Sequence, residues 1–135
     1  MAITKNEIQV EWSTADTISV SSGGNQTSDV VTLSAAAFDA SLQIKADNAG
    51  TPASGDIITG YVLYSYGDPD VDPDSADEFD TIGHAIPFEL DTNSEDPVIR
   101  SIKIDPAAVS LKLYVANGAS SNSITVSAQV REILG

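Results

Sequence analysis

The chain has 135 residues, no cysteine and a formal net charge of −14, from 20 acidic and six basic side chains. A domain of this length buries enough surface to fold without a staple, and the missing thiols exclude disulfides, thiolate metal sites and a cysteine nucleophile. Six lysines and arginines are too few for a phosphate-reading surface and an anionic membrane repels such a chain, so neither nucleic acid nor membrane is expected as a partner.

Residues 1–7 read as an N-terminal arm of the kind that docks on a neighbouring subunit, and residues 8–135 as a single β domain. The opening MAITKNEIQVEWS has no apolar stretch resembling a secretory signal, and no run approaches the roughly 20 apolar residues of a membrane span, so a soluble, cytoplasmically made chain is expected. From Ile8 the pattern alternates apolar and polar, the mark of half-buried strands. Ile8, Val10 and Trp12 form the first apolar set, then Ile18 and Val20, then a Gly23-Gly24 turn. Val31 and Leu33 follow, then Leu42, Ile44 and Ala46. SAAAFDA between them is compatible with one helical turn.

DNAGTPASGD is a loop. IITGYVLYSYG is apolar in both phases, which predicts a central strand covered on both sides. Gly60 inside it marks a bulge or a close backbone approach. Beyond an acidic stretch come IPFELD, VIRSIKID, SLKLYVA and SITVSAQVREI, separated by turn chemistry in TNSEDP, DPAA and NGASSN. Eight or nine short strands without helical periodicity predict an all-β fold, an antiparallel two-sheet β-sandwich of jelly-roll-like form.

The acidic stretch DPDVDPDSADEFD, Asp68 to Asp80, is the most conspicuous candidate site. Closely spaced carboxylates suit a hard cation, and Asp70, Asp72, Asp74 and Asp77 are the candidate Ca2+ ligands. The EF-hand frame fails, however. Counted from Asp68 the glycine position holds Pro73; counted from Asp70 it holds Ser75, and Thr81 stands where glutamate belongs. Pro69 and Pro73 also favour extended backbone that splays the carboxylates. A solvated loop of mutually repelling carboxylates is the favoured reading. Asp77, Glu78 and Asp80 also suit the start of a short helical turn.

No catalytic set is expected. A glycosidase needs one carboxyl with a raised pKa in an apolar cleft, which an exposed proline-rich cluster does not offer. His84 is the only histidine, no G-x-S-x-G is present, and a loop histidine with a local hydrogen bond fits best. VSSGGN lacks the lysine and following helix of a phosphate loop. No cofactor is expected. Most of the aromatics fall on apolar phases and read as core, while Tyr64, Tyr66 and Tyr114 are the candidates for exposure.

SLQIKADNAGTPASGD, the GDPD…DEFDT loop, LDTNSEDPV and LKLYVANGASSNSITVSAQV together resemble the small β-sandwich structural virion proteins of tailed bacteriophages, over most of the chain from Glu11 to Val130. The resemblance implies a head decoration, or auxiliary capsid, protein without enzymatic activity. Its implied partners are the major capsid protein and copies of itself, as a trimer or other cyclic oligomer, on the capsid surface of the virion. A tail, fibre or adhesin-like module that recognises a glycan, assisted by Ca2+, is the alternative.

Overall fold

The computed structural model describes residues 2–67, 79–118 and 122–135. These form ten strands: β1 (Thr4–Gln9), β2 (Ile18–Val20), β3 (Asn25–Thr27), β4 (Val31–Thr32), β5 (Ala37–Asn48), β6 (Ile57–Ser65), β7 (Pro87–Asp91), β8 (Val98–Lys103), β9 (Ser110–Asn117) and β10 (Ile124–Leu134). A 3-10 turn at Ile82–His84 is the one helical element among the described residues.

All pairings are antiparallel, and they make two sheets. In the first the order is β1–β10–β5–β8, with β2 also on β10; in the second it is β3–β9–β6–β7, with β4 also on β9. β1 and β2 lie along the same side of β10 and act as one interrupted edge strand, as β3 and β4 do along β9. The sandwich therefore has eight staves. The first pairs with the last, the second with the seventh, the third with the sixth and the fourth with the fifth. This is one long hairpin rolled into two sheets, the jelly-roll order. Its apex is the connection from β6 to β7, within which the acidic stretch falls.

The alternation read from the sequence is what builds the core. On β10, Ile124, Val126, Ala128 and Val130 are buried, while Thr125, Ser127 and Gln129 point outward. Leu42 and Ile44 of β5 and Leu111 and Leu113 of β9 have no exposed surface. Each such side chain stabilises the fold by about 1.5–3 kcal/mol through burial.

Between β1 and β2 the chain leaves the sheet, makes a tight turn and returns. Trp12 and Ala15 exchange backbone hydrogen bonds of 2.8 and 3.0 Å around Ser13 and Thr14. Both central residues have positive φ, 50° and 71°, as a type I′ turn requires. The Asp29 carboxylate accepts the Ser13 amide at 3.1 Å and the Thr14 amide at 3.0 Å, which holds this strained backbone in place. Trp12 is carried into the core, with 3% of its surface exposed.

Four expectations change. The arm is a strand: Thr4–Gln9 pairs with β10 from Thr4↔Leu134 to Gln9↔Gln129. SAAAFDA is a turn leading into β5, because the β10 edge captures the backbone from Ala37 onward. The polar strand β3 carries no apolar signal and is held by its backbone bonds to β9. Phe38 is not core. It is the extra residue where the register shifts between Ile133↔Asp39 and Leu134↔Ala37, and the bulge leaves the residue 57% exposed.

Candidate interaction surfaces

One end of the sandwich is closed by polar side chains. Asp56 and Thr92 are both 1% exposed. Asn48 donates from Nδ2 to Asp56 Oδ2 at 3.1 Å and to Thr92 Oγ1 at 2.9 Å, and Thr92 Oγ1 donates to the Asp56 carbonyl at 2.7 Å. Asn117 Nδ2 donates to the Val20 and Asn122 carbonyls at 3.0 and 2.9 Å. These bonds tie the β2–β3, β5–β6, β7–β8 and β9–β10 connections together, so this end is a rigid cap.

The long side of the sandwich is open where edge strands β7 and β8 face each other. A cleft of about 420 Å³ lies there, with Val62, Phe88 and Ile102 among its apolar walls and Asp80, His84 and Lys103 among its polar groups. Ile86 on its rim is 87% exposed. Lys103 is paired with Asp39 at 3.1 Å. His84 Nδ1 lies 3.2 Å from Thr81 Oγ1, the local hydrogen bond expected of it. Asp80 does not cap the 3-10 turn; Thr81 stands at that position and makes no side-chain cap.

Beside the cleft, Tyr66 donates to Asp105 Oδ2 at 2.8 Å and Tyr64 accepts the Asp105 amide at 3.0 Å. Burial raises the Tyr64 pKa. Partial burial also raises that of Tyr66, with the hydrogen bond to Asp105 as the next cause. Tyr64 packs on the core, whereas Tyr66 is half exposed. Tyr114, half-buried on the outer face of the second sheet, meets Tyr61 edge-on with ring centroids 5.8 Å apart. Tyr61 is thus a surface residue and not the core residue its phase suggests. Nearby, Lys112 Nζ sits 4.5 Å over the Phe79 ring, a cation–π contact.

The outer face of the first sheet is different in kind. Its centre is a row of neutral side chains in register on four strands: Gln9, Gln129, Gln43 and Ser101. Gln129 Nε2 donates to Gln43 Oε1 at 3.2 Å. Shallow hollows of about 350 and 100 Å³ lie on either side of Gln129. Charges of both signs surround this row, and two pairs are joined, Arg131 to Glu7 and Lys103 to Asp39.

The candidate Ca2+ ligands Asp70, Asp72, Asp74 and Asp77 lie outside the described residues. Among the described residues no group of three or more metal-capable side chains comes together, and no helix is long and apolar enough to cross a membrane. The sequence reading missed Glu132, which is fully buried. Parity along β10 reveals it, since Glu132 follows Val126, Ala128 and Val130 on the inward phase. It missed the Gln row for the opposite reason: outward neutral residues carry no signal until the strands are ordered.

No family model matches the chain, and no curated protein matches it. Among solved structures, tripeptidyl peptidase 2 is similar at 15% identity and a TM-score of 0.52, over 95% of this chain and 10% of the peptidase chain. The infectious bursal disease virus VP2 subviral particle is similar at 12% identity and a TM-score of 0.52, over 98% of this chain and 32% of the VP2 chain. The chain therefore spans a small part of either protein, and at these identities the likeness is one of fold. The class is defined: an all-β, antiparallel two-sheet sandwich, in jelly-roll order, with the VP2 of a subviral particle among its structural neighbours.

Proposed function

We propose that the chain is a structural protein of a virion. Within that class we read it as a capsid decoration protein of a tailed bacteriophage, bound to the major capsid protein as a homo-oligomer, without enzymatic activity. The observation that carries this reading is the strand order. The described strands form one rolled hairpin, the architecture from which viral capsid domains and lectins are built. The same fold occurs within a peptidase chain, so fold alone does not choose between roles. The phage-like stretches of sequence, together with the exposed Ile86 beside an apolar cleft, favour attachment to a particle over catalysis.

Mass spectrometry and cryo-electron microscopy of purified particles test it. The chain is expected on the outer capsid surface, and an Ile86→Asp variant that folds normally is expected to bind particles at least tenfold more weakly, as loss of a buried aliphatic anchor implies. Intact virions that lack the chain would overturn the reading.

A second reading, a tail or adhesin-like glycan-binding module, is favoured by the Tyr61–Tyr114 pair, which presents aromatic surface on the second sheet. Glycan-array binding that disappears in both Tyr61→Ala and Tyr114→Ala would support it. An added rise in melting temperature with millimolar Ca2+ would support the metal-assisted form.

A further inference from the structure

We propose that the outer face of the first sheet is a self-association surface, covered in solution by the same face of a second copy across a two-fold axis. It would supply a contact for the homo-oligomer of the reading above. Its test uses the isolated protein, so its failure leaves association with particles a separate question.

Charge is the first argument. Four of the six basic residues, Lys5, Lys45, Lys103 and Arg131, lie on this face. Of the 14 acidic residues among the described ones, Glu7, Asp39 and Asp47 lie on its strands and Asp16 lines the larger hollow. Counted over the described residues the face is neutral, with four basic and four acidic groups, whereas the rest of them hold ten acidic residues against two basic ones, Arg100 and Lys112. Contacts elsewhere draw on described residues with a large excess of carboxylates. Two copies that meet here keep them apart and place Lys45 and Lys5, which make no ion pair among the described residues, within reach of the partner's carboxylates.

Anatomy is the second argument. Protein interfaces lack charge at their centre and keep it at the rim. Here a row of glutamine and serine is free of charge, and the ion-paired Glu7, Arg131 and Lys103 stand in the row beside it. Size is the third. Four strands about 4.8 Å apart and about nine residues long at roughly 3.3 Å each present about 550 Å². Two copies together bury about 1,100 Å², just above the roughly 1,000 Å² expected of a specific interface. The hollows flanking Gln129 give protruding side chains of the facing sheet somewhere to go.

A pairing of this kind has an unusual salt signature. The charges that oppose it are remote and are screened as salt rises from about 0.01 to about 0.1 M, where the Debye length falls from roughly 30 to roughly 10 Å. Association measured by sedimentation equilibrium is expected to tighten about tenfold over that range. The double variant Ser127→Glu with Gln129→Glu places four like charges in the centre of the dimer and is expected to be monomeric with an unchanged melting temperature. Thr27→Glu, on an exposed edge of the other sheet, is expected to dimerise as the unaltered protein does. A protein that stays monomeric at every salt concentration, as it would if this face took a glycan instead, overturns the proposal. So does a dimer that survives the double variant, or one that weakens as salt is added.

Discussion

Glu132 and Ser34 stand 98 residues apart in the chain, yet one Glu132 carboxylate oxygen accepts the Ser34 amide at 2.7 Å. The other accepts Asn6 Nδ2 at 3.0 Å. A single buried carboxylate on β10 thus holds the edge strand β1 and the turn that leads into β5. Glu132→Ala leaves both donors without a partner and is expected to cost about 2–3 kcal/mol. Glu132→Gln keeps one acceptor and is expected to cost about half as much. Urea unfolding midpoints check the order; an alanine variant as stable as the parent would mean that water satisfies both donors.

Gly60 and Phe88 are direct cross-strand partners on β6 and β7. The Phe88 ring lies over the glycine, so that a Cβ at residue 60 would stand 2.6 Å from Phe88 Cε2. The aromatic ring fills the surface that glycine leaves bare. Gly60→Ala is expected to expel the ring and cost about 2 kcal/mol, within the range for overpacking. Combined with Phe88→Leu, the alanine is expected to cost less than the sum of the two single changes. Strict additivity in thermal unfolding would show that the two positions do not compete for space.

The Ser13–Thr14 turn holds a β-branched residue at φ 71°. Glycine takes that conformation without strain, so Thr14→Gly is expected to stabilise by about 0.5–1 kcal/mol despite its greater freedom when unfolded. Asp29→Ala removes the acceptor of both turn amides and is expected to destabilise by about 1 kcal/mol. A Thr14→Gly variant that melts lower would show that the turn is not under strain.

Tyr64 and Tyr66 keep their protons above the usual phenol range, through burial first and, for Tyr66, the bond to Asp105 second. The folded state holds these protons where the unfolded chain, with a phenol pKa of about 10, releases them. The stability they contribute is therefore complete below about pH 10 and declines as pH rises above it. Ultraviolet titration is expected to show tyrosinate absorbance that appears late, and Tyr66→Phe to lose part of it. A titration of the variant superimposable on that of the parent protein would contradict the assignment.

Much of the architecture was legible in the sequence because period-two alternation is a property of single strands. Ile124, Val126, Ala128 and Val130 declare their face without knowledge of any neighbour. Strand order is not local in this sense. Nothing in Gln9, Gln43 or Gln129 announces that they form one row, since that depends on β1, β10 and β5 lying side by side. Phe38 and Tyr61 were misread for related reasons. A one-residue bulge re-aims the first, and a strand apolar in both phases hides which phase faces out in the second. Glu132 was readable from parity but unremarked, because a carboxylate near the end of a chain is usually solvated.

The rolled hairpin also sets the order in which the molecule can be made. Thr4 pairs with Leu134, so β1 cannot pair until a strand about 120 residues further along has been made. That last strand, β10, is an interior strand, flanked by β1 and β2 on one side and β5 on the other. Until it emerges from the exit tunnel, the first sheet exists as separate pieces with unpaired edges. Folding is therefore dominated by distant pairings, and slow for the chain's size. While those edges stand unpaired, a net charge of −14 makes neighbouring copies repel one another, which opposes clumping of the incomplete sheet.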